Sequence, residues 1–194
     1  MTLNTGGYRQ LFYPQAITMV SLDLLSGLDG MILLQSGKKV GTLFDQHQTT
    51  ISRNQKKCAE VFGIKLQKIS SYWQPQEDSL LLQLERKVHQ LARLQGKSSL
   101  RLDANRWLDS SLFDPPPPGW LIGSANNLSD PHSLECLKQR IVDLCLFPLT
   151  DLPVETELLK RIELKSKREI GVVLLREHAN QERILALINT LEQA

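Results

Sequence analysis

The sequence predicts a mixed α and α/β fold: a helical front closed by a small hairpin, one long helix, and a small α/β rear. Three observations carry this. Apolar residues recur at helical steps through residues 22–62 and then alternate over 64–69. Leucines and a valine follow at steps of three, four and three from Leu81 to Leu91. From Leu100 onward, short apolar runs alternate with helical stretches, the pattern of an α/β unit. The chain divides accordingly into residues 1–75, 76–96 and 97–194.

The first helix carries Leu22, Leu24, Leu25, Leu28, Ile32 and Leu33 on one face, with Asp23 near its start and Ser36-Gly37 at its close. Gly30 lies inside it and costs about 1 kcal/mol against alanine. A short second helix spans roughly Lys38–Phe44, and Asp45-Gln46-His47-Gln48 suits a turn. The third helix runs from Gln48 or Thr49 to Phe62 and stops at Gly63, with Ile51, Cys58, Val61 and Phe62 as its apolar members. Residues 64–69 read as a half-buried strand and Ser70–Pro75 as a turn. Helix, tight turn, helix and small hairpin is the plan of a winged helix-turn-helix.

The long helix is predicted from Gln76 to Leu94. Leu81, Leu84, Val88 and Leu91 form its seam, about one and a half heptads, suited to pairing two copies as a homodimer or a higher assembly. His89 is placed on its surface. Gly96-Lys97-Ser98-Ser99 reads as a hinge.

In the rear, Leu100–Trp107 reads as a strand and Pro115–Pro118 as a stiff connector. Trp120–Gly123 is a second strand. Asp130-Pro131 reads as an N-cap and first helical position for a helix reaching about Arg140. Ile141–Phe147 and Ile170–Leu175 are buried strands. A last helix from near Asn180 is expected to bury Ile184, Leu185, Leu187, Ile188 and Leu191. Together they predict a mostly parallel sheet.

Composition narrows the function. The chain has 194 residues, 41% hydrophobic and 23% charged, enough for one medium domain or two small ones. A net charge of +2 does not suit a general polyanion binder. The apolar runs fall short of the roughly 18 residues of a spanning helix, and MTLNTGGYRQLFYPQ lacks a basic start followed by an apolar run. The three cysteines, Cys58, Cys136 and Cys145, form no C-x-x-C pair, so a reducing, cytoplasmic location is expected. Residues 1–69 carry eight basic and four acidic groups, whereas residues 97–194 carry twelve and fourteen. A polyanion would therefore meet the front.

The third helix has the side chains such a contact needs. Gln48, Thr49, Ser52, Arg53 and Lys56 fall on or near one face. Glutamine can bond adenine through two contacts and threonine can offer a methyl to thymine, while Arg53 and Lys56 suit phosphates. Thr50 and Lys57 complete this set on the helix, and Lys38 and Lys39 begin the preceding one, where exposed N–H groups also favour an anion. Lys65 and Lys68 lie on or beside the wing. The competing reading of these residues is the solvated face of an ordinary helix.

Gln48-Thr49-Thr50-Ile51-Ser52-Arg53, followed by Cys58 and Phe62-Gly63-Ile64-Lys65-Leu66, resembles the recognition helix of LysR-type transcriptional regulators. The glutamine, the aliphatic, the Ser-Arg pair and the Gly-x-x-Leu stand at matching intervals. Val40–Phe44 stands where that family has its second helix, and the long helix matches its dimerising linker. Leu134–Pro148 is similar to a stretch of its effector domain. The sequence departs from the pattern at His47, Thr49, Cys58-Ala59 and Gly41, and its wing lacks the usual arginines. Its rear, about a hundred residues, is half the family's usual two-lobed length. The resemblance implies double-stranded DNA as partner, homodimerisation and transcriptional regulation; it leaves a small-molecule effector open.

Other chemistry finds little support. His47, His89, His132 and His178 lack ligand spacing, so no metal is expected. Cys136 and Cys145 read as small buried hydrophobes. No G-x-S-x-G, P-loop or G-x-G-x-x-G occurs, so neither an enzyme nor a cofactor is expected. Asp143, a charge in an apolar run, reads as structural. Trp107 and Trp120 are expected to pack across the proline run, or to line a cleft. The alternative function is a winged-helix protein-interaction module without DNA readout.

Overall fold

The computed structural model describes residues 20–69, 72–77, 79–104, 113, 115–123, 130–165 and 168–193. Three helices open it: α1 (Leu22–Leu34), α2 (Gly37–Leu43) and α3 (Gln48–Val61). Ser21 caps α1, its Oγ accepting from Leu24 N–H at 3.4 Å. Gln35, not Ser36-Gly37, ends it, in the left-handed region at φ +59°. A glutamine there is unusual, and its side chain supplies the reason. The Gln35 amide donates to Trp73 O at 3.1 Å and accepts from Trp73 N–H, so it clasps the hairpin to α1. Ser36 instead caps α2.

Packing explains two glycines. A Cβ on Gly30 would lie 2.7 Å from Val40 Cγ1, so its absence lets α2 close on α1. At Gly41 a Cβ would meet Gln46 O, a backbone atom, at 2.4 Å. The turn between α2 and α3 folds back tightly here, with Gln46 N–H donating to Gly41 O at 2.8 Å. Gly41→Ala is expected to cost about 1–3 kcal/mol, because backbone cannot step aside as a side-chain tip can. An unchanged urea midpoint would contradict this account of the turn.

Strands β1 (Leu66–Ile69) and β2 (Tyr72–Pro75) pair antiparallel, Leu66 opposite Pro75 and Ile69 opposite Tyr72. Residues 72–75, read from sequence as part of a turn, are therefore the second strand. Gln76 N–H still bonds Lys65 O, and Ser79 caps the next helix, so α4 (Leu80–Leu94) begins later than expected.

The rear is a five-stranded sheet in the order β4-β3-β5-β7-β6, from β3 (Leu100–Ala104), β4 (Trp120–Gly123), β5 (Leu144–Pro148), β6 (Leu159–Glu163) and β7 (Ile170–Leu175). The expected mostly parallel sheet is corrected: β3 is parallel to β4 and β5, but β7 is antiparallel to β5 and β6. The β6–β7 link is too short for a parallel crossover, which takes a dozen or more residues. Strand β5 begins at Leu144, after Ile141–Asp143, and residues 105–107 lie outside the described residues. Helix α5 (Asp130–Lys138) crosses between β4 and β5, with Asp130 as its first residue, and α6 (Glu182–Gln193) closes the chain. Leu185, expected to be buried, is 40% exposed; α6 buries Ile184, Leu187, Ile188 and Leu191.

The two sheet faces feed two cores. Leu100, Leu102, Leu144, Leu146, Val172 and Leu174 pack with Trp120 and α6. Cys145, Phe147, Val173 and Leu175 belong to the core that also holds α5, Leu25 and Leu28 of α1, and Ile51 of α3. Gly123 lets Leu33 and Leu34 of α1 lie against β4. The front helices thus share a core with the sheet.

Candidate nucleic-acid interface

Helix α3 is amphipathic in a plain way. Ile51, Cys58 and Ala59 are buried, and α3 packs on α1 where a Cβ on Gly27 would come within 3.0 Å of Asn54. The opposite side presents Gln48, Thr49, Ser52, Arg53, Lys56 and Lys57, all exposed. Thr50 is half-buried. His47 caps the helix, its Nδ1 accepting from Thr49 N–H at 3.4 Å and standing 2.9 Å from Thr49 Oγ1. Asn54 donates to Gln46 Oε1 at 3.3 Å and braces the turn.

Around this stripe lie more cations. Lys38 and Lys39 are exposed in the first turn of α2. An open groove of about 520 Å³ between α2 and α3 brings Lys38 and Gln48 to one wall system. On the hairpin Lys68 is exposed and stands opposite Trp73, its ammonium 5.5 Å from the ring centre, within cation–π range. Lys65 is exposed beside it. The stripe, the start of α2 and the hairpin therefore offer amides, hydroxyls and cations, the groups that bond base edges and phosphates.

Helix α4 holds the surprise. Its leucine seam faces outward: Leu81 and Leu84 are each 52% exposed, Leu91 42%, and Val88 is half-buried. Its inward side carries Glu85, Arg86, His89, Gln90 and Arg93, all buried. His89, expected on the surface, is corrected: it is buried and its Nε2 lies 3.2 Å from Glu85 Oε1. The inward polar groups meet partners from both ends of the chain. Asp143 accepts from Arg93 Nε at 2.8 Å, Arg93 Nη2 at 2.9 Å, Gln90 Nε2 at 3.0 Å and Arg101 N–H at 2.8 Å. Asp29 of α1 pairs with Arg86 at 2.8 Å and Arg101 at 3.4 Å. Burial pulls the Arg101 guanidinium down to about 10, with Arg93 adding repulsion and Asp29 and Asp143 opposing it.

Sequence reading missed Asp29, Arg86, Gln90, Arg93 and Arg101. A signal existed: 85, 86, 89, 90 and 93 form a stripe opposite the leucines. Polar stripes usually face water, and only the fold shows that this one faces Asp29 and Asp143.

The remaining candidates are placed as follows. Cys58, Cys136 and Cys145 are buried, as expected of small hydrophobes. Burial pushes the Cys58 thiol up to about 12 and both others well above the usual range. Trp120 packs in the second core; Trp107 lies outside the described residues. Among the described residues no group of three or more His, Cys, Asp or Glu is placed to hold a metal ion, and no helix is long and apolar enough to cross a membrane.

Two histidines set a pH dependence. Burial holds His132 and His178 below the ordinary 6.5. Each is placed to donate its Nε2–H, His132 to Ile32 O at 3.0 Å and His178 to Gln90 Oε1 at 3.1 Å. The unfolded chain therefore binds these protons first as pH falls. Their neutral form supports the fold fully above about pH 6.5, and that support is lost progressively below it. Unfolding midpoints measured against pH should fall on that side, and less steeply in His178→Gln.

No protein-family model and no curated protein matches the chain. Solved structures match it in part. ArgP from Mycobacterium tuberculosis is 14% identical over 73% of this chain and 52% of its own, with a TM-score of 0.35. CrgA, a LysR-type transcriptional regulator from Neisseria meningitidis, is 13% identical over 75% and 53%, TM-score 0.34. Full-length LysG from Corynebacterium glutamicum, with bound effector Arg, is 18% identical over 75% and 55%, TM-score 0.32. The chain spans about half the length of these proteins.

Proposed function

We propose that this chain is a sequence-specific DNA-binding transcriptional regulator of LysR-like type that acts as a homodimer. Residues 1–75 are the winged helix-turn-helix, 76–96 the dimerising linker, and 97–194 a small α/β domain like a shortened effector domain. The observation that carries the reading is the leading end of α3: Gln48, Thr49, Ser52, Arg53 and Lys56 all face solvent, beside Lys38 and Lys39. A recognition helix presents such residues to a major groove. Gln48 and Thr49 would read base edges; Arg53 and Lys56 would neutralise phosphates, with Ser52 and Lys57 beside them and Lys68 on the wing. The outward leucines of α4 support the dimer, since a second copy of the same seam would cover them.

Selection of bound oligonucleotides from a random pool, with particle mass measured on the same sample, tests this. A two-fold symmetric consensus bound by a dimer is expected. Retention on neither random nor selected DNA at low salt would favour the interaction module. Arg53→Ala should weaken binding to all sequences about tenfold and reduce the salt slope by about one, while Gln48→Ala should change the preferred sequence.

A further inference from the structure

We propose that His47 fixes the polarity of the Thr49 hydroxyl, and that Thr49 therefore bonds an exocyclic amino group, that of adenine or cytosine, in the major groove. The inference deepens the DNA reading above and rests on it. It begins in the turn before α3. Gln46 N–H donates to Gly41 O at 2.8 Å and the Gln46 side chain accepts from Asn54 at 3.3 Å, so the backbone entering His47 is held. His47 itself is extended, at φ −68° and ψ 142°. Its carbonyl accepts from Thr50 N–H at 2.9 Å and Ile51 N–H at 3.1 Å, as an N-cap carbonyl does. The imidazole thus lies against the first turn, with Nδ1 3.4 Å from Thr49 N and 2.9 Å from Thr49 Oγ1.

Those two contacts settle which group donates. A backbone N–H cannot turn away, and this one points at Nδ1, so Nδ1 carries its lone pair and the ring proton sits on Nε2. The Thr49 hydroxyl is a rotor. With an acceptor at 2.9 Å, its hydrogen goes to Nδ1. The oxygen keeps lone pairs only, and Thr49 is exposed at the leading end of α3. An acceptor pressed against a duplex needs a donor. In the major groove adenine N6 and cytosine N4 donate, whereas thymine O4 and guanine O6 and N7 accept. A freely turning hydroxyl suits either kind; His47 removes the choice and acts as a positioning residue. His47 and Thr49 are both departures from the LysR-type pattern, so the pair belongs to this chain.

The full chain tests both halves. Without DNA, nitrogen NMR of the histidine rings at mildly alkaline pH, where imidazoles are neutral, should show His47 in one tautomer with Nδ1 unprotonated. A mixture of tautomers, or a proton on Nδ1, would overturn the proposal. With DNA, the sequence selected from a random pool is resynthesised with single groups deleted at the base pairs whose preference Thr49→Val changes. The deletions are the amino group of adenine or cytosine, purine N7 and the thymine methyl. Losing the amino group should weaken the native chain about tenfold more than Thr49→Val. Weaker base pairing is common to both and cancels in the cycle. In His47→Gly, glycine being tolerated at an N-cap, that coupling should shrink to about twofold. Coupling of the hydroxyl to N7 or to the methyl instead, a Thr49→Val consensus identical to the native one, or undiminished coupling in His47→Gly overturns the inference and leaves the DNA reading standing. The absence of any consensus fails the DNA reading, and this inference with it.

Discussion

Asp143→Ala is expected to lower folding stability by about 3–5 kcal/mol, the cost of stripping a buried cation of its partner. The carboxylate has four hydrogen bonds, three from α4 side chains and one from the β3 backbone. Removing it leaves Arg93, 1% exposed, as an uncompensated charge. It also orphans the Gln90 amide and the Arg101 N–H. A small domain holds only about 5–15 kcal/mol in total, so the variant would sit near the edge of folding. Urea unfolding measures it. A loss below about 1 kcal/mol would mean that water reaches Arg93. Asp143→Asn should cost less, since it keeps hydrogen-bond acceptors but not the charge.

On the proposed function, Leu81→Glu/Leu84→Glu is expected to leave the chain folded and monomeric, with DNA affinity reduced about a hundredfold or more. Both side chains are half exposed in the single chain, so charges there disturb no packing of its own. In a dimer they would face their own copies, and like charges in an apolar seam exclude pairing. Loss of the dimer removes the avidity of two linked reading heads, typically a factor of 10²–10⁴. Sedimentation and gel shift on one preparation decide it. A variant that remains dimeric places the interface elsewhere.

Much of the fold was legible because local rules and tertiary packing agreed. The seam of α4, the stop of α3 at Gly63 and the run Ile170–Leu175 follow from period and turn chemistry alone. The misplaced charges of the interior have one physical source: a polar residue in an amphipathic pattern reads as one that seeks water. In β3, Arg101 alternates with Leu100 and Leu102 as a solvent-facing residue would, yet it points at Asp29 and Ser26 of α1. His89 was misplaced for the same reason. Long-range charge pairing leaves no trace in a window of ten residues, since Asp29 and Arg101 are 72 positions apart. Strand β6 escaped because Leu159–Glu163 is an edge segment rich in charge, as edges that avoid aggregation are. Of the candidate interface, the α3 stripe was readable from helical spacing; its exposure needed the fold.

Helix α1 is a shared wall. One side holds α3, the other meets β4, and its C-cap residue, Gln35, grips the hairpin. On the proposed function, a reading head mounted on such a wall is expected to hold its angle. In the proposed dimer the α4 seam and this wall together act as a caliper of fixed opening. One added base pair moves a half-site by about 3.4 Å along the duplex and turns it as well. On the proposed function a caliper of fixed opening does not follow, so the operator should tolerate changes of letter better than changes of spacing.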